Sequence, residues 1–359
     1  MRERRESRPV MVGPVPIGGG APISVQSMTN TDTRDSAKTL AQIARLADAG
    51  CEIVRVAIPH RDALQGFSEI VAGSPLPVVA DVHFDHTIAV DAARGGAAKL
   101  RINPGNIGSL DRVDAVIDAA GAAGIPIRIG VNAGSLADEY RDLDWPLSDK
   151  LVASSVSFCT HFASRGFEDI VVSAKASSVV TTIDAYRRLA EEVPYPLHVG
   201  VTEAGFPPAG VIRSAVGIGT LLAEGIGDTI RVSLTAPPEE EVKVGLEILK
   251  ALFLRERGPI IISCPTCGRC EVNLLKIVKQ VEAKLAKVKE PTVVAIMGCV
   301  VNGPGEAREA DVGIAAGRGS ALIFRKGEII KKVAPSQAVT ALLKEMKQVV
   351  KRRGKPRRR

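Results

Sequence analysis

The chain has 359 residues, 45% of them apolar and 3% aromatic, with six cysteines and a formal charge of +7. That is enough apolar material for one large domain and a smaller one, and no run approaches the roughly 20 apolar residues that a membrane-spanning helix needs. The last nine residues, "KRRGKPRRR", carry seven of the basic side chains and no acid, so the remaining body is close to neutral. A short basic tail reads as a solvated segment, and so few aromatics leave no base-stacking platform; neither specific nucleic-acid binding nor a membrane role is expected. The charged start "MRERRESRPV" has no apolar stretch after it, so a cytoplasmic setting is expected, where clustered cysteines serve more often as metal ligands or redox groups than as disulfides.

From residue 23 to about 257, short β-branched runs alternate with longer Ala/Leu-rich segments. The expected strands are "ISVQSM" (23–28), "EIVRVAI" (52–58), "LPVVADVH" (76–83), "AKLRINPG" (98–105), "PIRIGVN" (126–132), "DIVVSAKA" (169–176), "PLHVGVTEAG" (196–205) and "DTIRVSL" (228–234). Between them lie helical segments such as "DSAKTLAQIARLADAG" and "VVTTIDAYRRLAEEV", several closed by glycine. Strand–helix alternation implies parallel pairing, and eight such units close into an α/β fold of the (β/α)8 TIM-barrel type; an open doubly wound sheet is the competitor. The expected division is a substrate-binding barrel over 1–257, a smaller α+β domain over 258–350 and a basic tail over 351–359.

Active sites of such barrels sit at the C-terminal ends of the strands. Those ends, or positions just before them, offer Gln26, Ser27, Arg55, Asp81, Arg101, Asn103, Arg128, Asn132, Lys175, Glu203, Arg231 and Ser233. Five cations from five strands are costly to gather in one mouth unless an anion sits between them, and the arginine fork matches phosphate. A phosphorylated small molecule is the expected guest. The glycines of "EGIGD" (224–228) are weak as a phosphate motif and read as turn residues. His83 and His86, near the third strand, are either acids or ordinary loop histidines.

Past residue 258 the rhythm changes. "GPIIISCPTCGRC" runs a strand into a loop with Cys264, Cys267 and Cys270; an amphipathic helix follows, and "TVVAIMGCVVNGPGE" repeats the strand-to-loop pattern with Cys299. A β-meander, "DVGIAAGRGSALIFRKGEII", and a closing helix complete the domain. Because both thiol loops follow strands, they are expected to meet at one sheet edge. One Cys-x2-Cys knuckle without a second argues against structural zinc, and Cys-x2-Cys with a remote cysteine suits three corners of an iron–sulfur cubane. The fourth corner is open. Cys270 would give a closed electron-transfer cluster, whereas Glu306, seven positions after Cys299 across a turn-forming "VVNGPG", would give an oxygen ligand; an ordinary surface glutamate is the plainer reading of Glu306.

The segments "VQSMTNTDT" (25–33), "KLRINPGNIG" (99–108), "GIGDTIRVSLT" (225–235), "ISCPTCGR" (262–269) and "GCVVNGPGEA" (298–307) resemble those of bacterial 4-hydroxy-3-methylbut-2-enyl diphosphate synthases, iron–sulfur enzymes of the non-mevalonate isoprenoid pathway. The likeness spans nearly the whole chain, in the two-domain form without a large insertion. It implies a [4Fe–4S] cluster on Cys264, Cys267, Cys299 and Glu306, and 2-C-methyl-D-erythritol 2,4-cyclodiphosphate as substrate. It also implies flavodoxin or ferredoxin as electron donor; no dinucleotide-binding fingerprint follows a strand. The diphosphate would then fall to Arg55, Arg101, Asn103, Arg128, Lys175, Arg231 and Ser233, and the hydroxyls and protons to Asp81, Asn132 and Glu203. Cys270 departs from the family pattern, which has threonine there, and is read as a spare thiol.

The segment 237–258 is expected to form a helix running roughly 30 Å away from the mouth, which would carry the thiol domain to the far end of its own barrel. A head-to-tail homodimer, with each thiol domain over the partner's mouth, removes that difficulty. The rival readings are an all-cysteine electron-transfer module fused to another phosphate-binding barrel enzyme, a Lys175 Schiff-base aldolase with structural zinc, and a binding protein that uses the tail over 351–359 on RNA.

Overall fold

All eight β-branched runs form strands in the computed structural model, which describes residues 2–134, 136–256, 258–285, 288, 290–299, 305 and 307–353. The chain separates into two compact units, Met1–Arg255 and Glu256–Arg359.

The first unit opens with an antiparallel hairpin, β1 (Val10–Val12) and β2 (Val15–Ile17), which the strand–helix rhythm does not announce. Val12 and Ile17 pack with Ile53 and Val79, so the hairpin covers the N-terminal end of the strands that follow. Those are β3 (Ser24–Met28), β4 (Ile53–Ala57), β5 (Val78–Asp81), β6 (Lys99–Ile102), β7 (Ile127–Asn132), β8 (Ile170–Lys175), β9 (His198–Val199) and β10 (Thr229–Ile230). Their order is β8-β7-β6-β5-β4-β3-β10-β9, all parallel. A parallel bridge between Val172 and Leu197 joins the two ends, making a closed barrel rather than a doubly wound sheet.

Local chemistry sets the crossovers. Asp35 caps the helix Ser36–Ala49 by accepting from Lys38 N at 3.0 Å, and Gly50 ends it at φ 104°, a left-handed conformation costly for other residues. The helix buries Thr39, Gln42, Ile43 and Leu46, the i, i+3, i+4, i+7 stripe that faces a sheet. Several boundaries differ from the sequence reading. The seventh and eighth strands, expected over 196–205 and 228–234, pair only over His198–Val199 and Thr229–Ile230. The fourth strand stops at Ile102, because Asn103 caps the short helix Pro104–Ile107. The helix after β10 is Pro238–Ala251, about 21 Å long rather than 30 Å; Phe253, at φ 54°, has already left helical geometry.

The second unit has a five-stranded sheet in the order β11 (Pro259–Ser263), β12 (Thr292–Met297), β13 (Val312–Gly317), β14 (Ser320–Arg325), β15 (Glu328–Val333). The first three are parallel and the last three form the expected antiparallel meander. The helices Leu274–Leu285 and Ala338–Arg353 supply Leu274, Val281, Leu285, Leu342 and Met346 to one core with Val294, Ile296, Ile314 and Ile323. Among the described residues no helix is long and apolar enough to cross a membrane.

Candidate active site

Side chains alternate between the two faces of a strand, so one inward residue places its neighbours two positions away inward as well. On that parity the barrel interior receives Gln26, Arg55, Asp81, Lys99, Arg101, Arg128, Ser173, Lys175, His198, Arg231 and Ser233. Toward the C-terminal ends a cavity is lined by Arg55, Arg101, Arg128, Asn132, Ser173, Lys175, Arg231 and Ser233, with Gly130 and Thr202. Seven of these were named from the sequence, six as diphosphate contacts and Asn132 as a hydroxyl contact. Glycine at inward positions makes the room. A Cβ on Gly130 would lie 2.7 Å from Arg101 Nε, and one on Gly200 would lie 2.8 Å from Lys175 Nζ.

Two buried carboxylates organise the cations. Asp81 Oδ1 accepts from Arg101 Nη1 at 3.0 Å, and Asp81 Oδ2 lies 3.5 Å from Arg55 Nε. Burial alone would raise the Asp81 carboxyl, but Arg55, His83 and Arg101 outweigh it and hold it well below the usual carboxylate range. Glu241, from the helix Pro238–Ala251, accepts from Arg231 Nη2 at 3.2 Å. Among the described residues Arg128 and Lys175 have no such partner. Arg128 Nη1 donates to Ser173 Oγ at 2.7 Å, while its Nε and Nη2 are buried without an acceptor. Burial, then Arg55 and Arg101, push the Arg128 guanidinium well below its ordinary value; burial, then Arg128 and Arg231, do the same to Lys175. Burial, with Asp81 opposing it, brings Arg55 down to about 10. So many cations with donors left over form a site short of negative charge, which a polyanion would supply.

The other expected residues take varied places. Asn103 is fully buried, and its Oδ1 accepts from Gly105 N at 3.1 Å. Glu203 is exposed in the loop after β9, at φ 53° in the left-handed region. Gln26 Oε1 lies 3.5 Å from Lys99 Nζ, and Ser27 Oγ 3.4 Å from Glu241. His83 lies 3.3 Å from Arg101 Nη1, whereas His86 opens the helix His86–Arg94. Four interior groups escaped the sequence reading: Lys99, Ser173, His198 and Glu241. Lys99 and Ser173 were legible by parity, each two residues before a cation already chosen. His198 is fully buried with both ring nitrogens unpartnered, and burial, then Lys175 and Arg128, lower its pKa well below the ordinary value.

In the second unit the two thiol loops leave neighbouring parallel strands at the same end, with Ser263 opposite Ile296. Cys264 N donates to Ile296 O at 3.3 Å, and Gly298 N donates to Cys264 Sγ at 3.2 Å. Glu271 N donates to Gly298 O at 3.1 Å, which ties the end of the first loop to the start of the second. Cys267 is exposed; Arg269 beside it lowers its thiol pKa. Cys270 is half-buried and its Sγ donates to Val272 O at 3.3 Å. Glu306 lies outside the described residues, as does the tail over 354–359. Among the described residues no three His, Cys, Asp or Glu side chains converge on one metal position. The donor types suit a soft iron–sulfur group, and a backbone N–H aimed at Cys264 Sγ is the kind of contact that stabilises a thiolate ligand.

A closed parallel barrel with a cation-lined mouth, joined in one chain to an α+β unit that gathers cysteine loops at one sheet edge, defines a two-part barrel enzyme for an anionic small molecule. The chain belongs to the GcpE family: the GcpE TIM-barrel domain matches residues 7–246 and the GcpE protein C-terminal domain residues 260–348. It is similar to the 4-hydroxy-3-methylbut-2-en-1-yl diphosphate synthase (flavodoxin) of Geobacter sulfurreducens, with 52% identity over 348 residues, 97% of this chain and 99% of that one. The protein of the same name from Clostridium acetobutylicum is 55% identical over 345 residues, 96% of this chain and 99% of its own length. That of Symbiobacterium thermophilum is 54% identical over 349 residues, covering 97% and 94%. A Yersinia pestis dihydropteroate synthase structure covers 68% of this chain and 98% of its own, at 12% identity and a TM-score of 0.49, too remote to carry an argument.

Proposed function

We propose that this chain is a 4-hydroxy-3-methylbut-2-enyl diphosphate synthase. It takes 2-C-methyl-D-erythritol 2,4-cyclodiphosphate, adds two electrons, opens the cyclic diphosphate at the tertiary carbon and releases the C3 hydroxyl as water. The observation that carries the reading is the barrel mouth, whose buried and half-buried arginines and lysine outnumber their carboxylate partners, in a chain more than half identical to enzymes of that name over nearly its full length. Arg55, Arg101, Arg128, Lys175 and Arg231 hold the diphosphate, with Ser233 at the rim. Arg128 brings two donors that nothing else in the barrel satisfies. Asp81 has its oxygens turned to two guanidinium groups, a placement that suits orienting them better than relaying protons. Asn132 and Glu203 face the hydroxyls, and Asn103 braces the loop after β6.

Cys264, Cys267, Cys299 and Glu306 would hold a [4Fe–4S] cluster, which when bound supplies electrons one at a time and a Lewis-acidic iron. The relatives' name includes flavodoxin, and we take flavodoxin as the donor here in preference to ferredoxin. The working form is a cytoplasmic homodimer whose sites are completed between subunits. The all-cysteine alternative is disfavoured, because the Cys270 thiol already donates to Val272 O and the relatives carry the synthase name. Iron and sulfide analysis of anaerobically purified protein, with an EPR spectrum after adding the cyclic diphosphate, tests this. Cys264→Ser is expected to lose the cluster and Cys270→Ser to keep it with its substrate-dependent signal. Equal loss in both variants would overturn the ligand set.

A further inference from the structure

Glu241 sits in the first turn of the helix Pro238–Ala251 and is 4% exposed. Its Oε1 accepts from Leu234 N at 2.9 Å and from Arg231 Nη2 at 3.2 Å; its Oε2 accepts from the same Nη2 at 3.2 Å and from Ser27 Oγ at 3.4 Å. Ser27 belongs to β3, and Arg231 and Leu234 follow β10, the strand paired with it. One carboxylate thus fastens the seam between these strands and one edge of the Arg231 guanidinium. Arg231 Nε is buried and has no acceptor.

A carboxylate here works against the mouth electrostatically, since its negative charge repels the anion that the cations attract. Its retention in this geometry requires a compensating gain, and the contacts identify one. Nη2 is held by both carboxylate oxygens while Arg231 lines the cavity, so the clamp restrains the guanidinium and leaves its other donors for a ligand there. We propose that Glu241 is a positioning residue for the anionic ligand: it fixes Arg231, as Asp81 fixes Arg55 and Arg101 across the mouth. The proposal rests on the reading of that mouth as a diphosphate site.

Charge and positioning predict opposite signs. Removing a negative charge beside an anion site tightens binding if the field dominates; losing the clamp weakens it if orientation dominates. The probe is inorganic pyrophosphate, titrated calorimetrically into the full chain, with KM and kcat for the cyclic diphosphate measured alongside. Glu241→Gln keeps an acceptor for Leu234 N and is expected to weaken pyrophosphate about tenfold, the scale at which contacting residues couple. KM should rise by a similar factor with kcat within about twofold. In an Arg231→Met background the same substitution should no longer weaken binding or raise KM; with nothing left to position, only the field effect remains, so affinity should be unchanged or tighter. Glu241→Asp, which keeps the charge but withdraws it from Nη2, should also weaken binding; it serves as the second variant if Glu241→Gln does not fold. Tighter pyrophosphate binding by Glu241→Gln, wild-type affinity in Glu241→Asp, or an equal loss in both Arg231 backgrounds would overturn the proposal. A chain that binds pyrophosphate with this pattern but does not turn over the cyclic diphosphate would refute the reaction and leave the positioning role standing.

Discussion

Gly200 offers a direct test of how the mouth is assembled. It is absent from the positive-φ glycines, so its backbone is one any residue can adopt, and its role is space. A Cβ there would lie 2.4 Å from Arg231 O and 2.8 Å from Lys175 Nζ. The lysine can swing aside, but the carbonyl is backbone just past β10, held there as Arg231 N donates to Val199 O at 3.0 Å. Reaching ordinary contact means moving β9 and β10 apart by about 1 Å, which strains that ladder. Overpacking of this kind costs roughly 1–3 kcal/mol, and a backbone clash belongs at the upper end. For a unit of this size that is a fall in Tm of about 6–12 °C for Gly200→Ala, together with weaker pyrophosphate binding as Lys175 is displaced. Gly219, in the helix Ala209–Ala223 with nothing within 4 Å of its Cβ position, is the control. Gly219→Ala should be neutral or stabilising by up to about 1 kcal/mol. Calorimetric melts and pyrophosphate titrations of both variants decide the matter. If Gly200→Ala melts with the wild type and binds pyrophosphate normally, the inward placement of residue 200 and the argument built on it are wrong.

Two further outcomes are expected. Asp81→Asn leaves Arg55 and Arg101 without their buried counter-charge and should cost roughly 3–5 kcal/mol at neutral pH. Because the native carboxyl is held low, the unfolded chain binds the extra proton first. The stability Asp81 contributes is therefore complete above the unfolded value of about 3.9 and is lost as pH falls through the lower native value. Urea unfolding between pH 3 and 7 should show a shallower acid decline in the variant, and parallel curves would exclude the assignment. If the proposed dimer shares its sites, Cys264→Ser subunits mixed with Arg231→Ala subunits should regain activity in hybrids, since one of the two sites would be intact; no rescue at any ratio would count against sharing.

The barrel was legible because its physics is local. Each strand is a β-branched run between turn signals, and position at the C-terminal ends of those strands gathered Arg55, Arg101, Arg128, Lys175 and Arg231 into one mouth without any knowledge of contacts. Period-two alternation, applied one step deeper along the same strands, would have found Lys99 beneath Arg101 and Ser173 beneath Lys175. The β1–β2 hairpin was not legible: three-residue strands carry too little pattern, and their purpose, covering the floor near Ile53 and Val79, lies in tertiary packing. The last barrel helix was overextended because "LFLRERG" continues an amphipathic pattern, while Phe253 breaks it with a backbone angle that no propensity scale encodes.

Glu241 shows where sequence reasoning reaches its limit. In the chain it is the third of three consecutive glutamates at a helix start, where acids are expected simply because they favour the positive end of the helix dipole. Glu239 fits that account: it is on the surface side and pairs with Arg45. Glu240 fits as well, paired with Lys243. Glu241 differs only because the helix turns it inward, onto an arginine ten residues back and a serine 214 positions away. Dipole, surface pairing and site geometry thus fall on three adjacent residues of one type. Only the direction of the side chain separates the two that can be replaced with small effect from the one whose loss should alter ligand affinity.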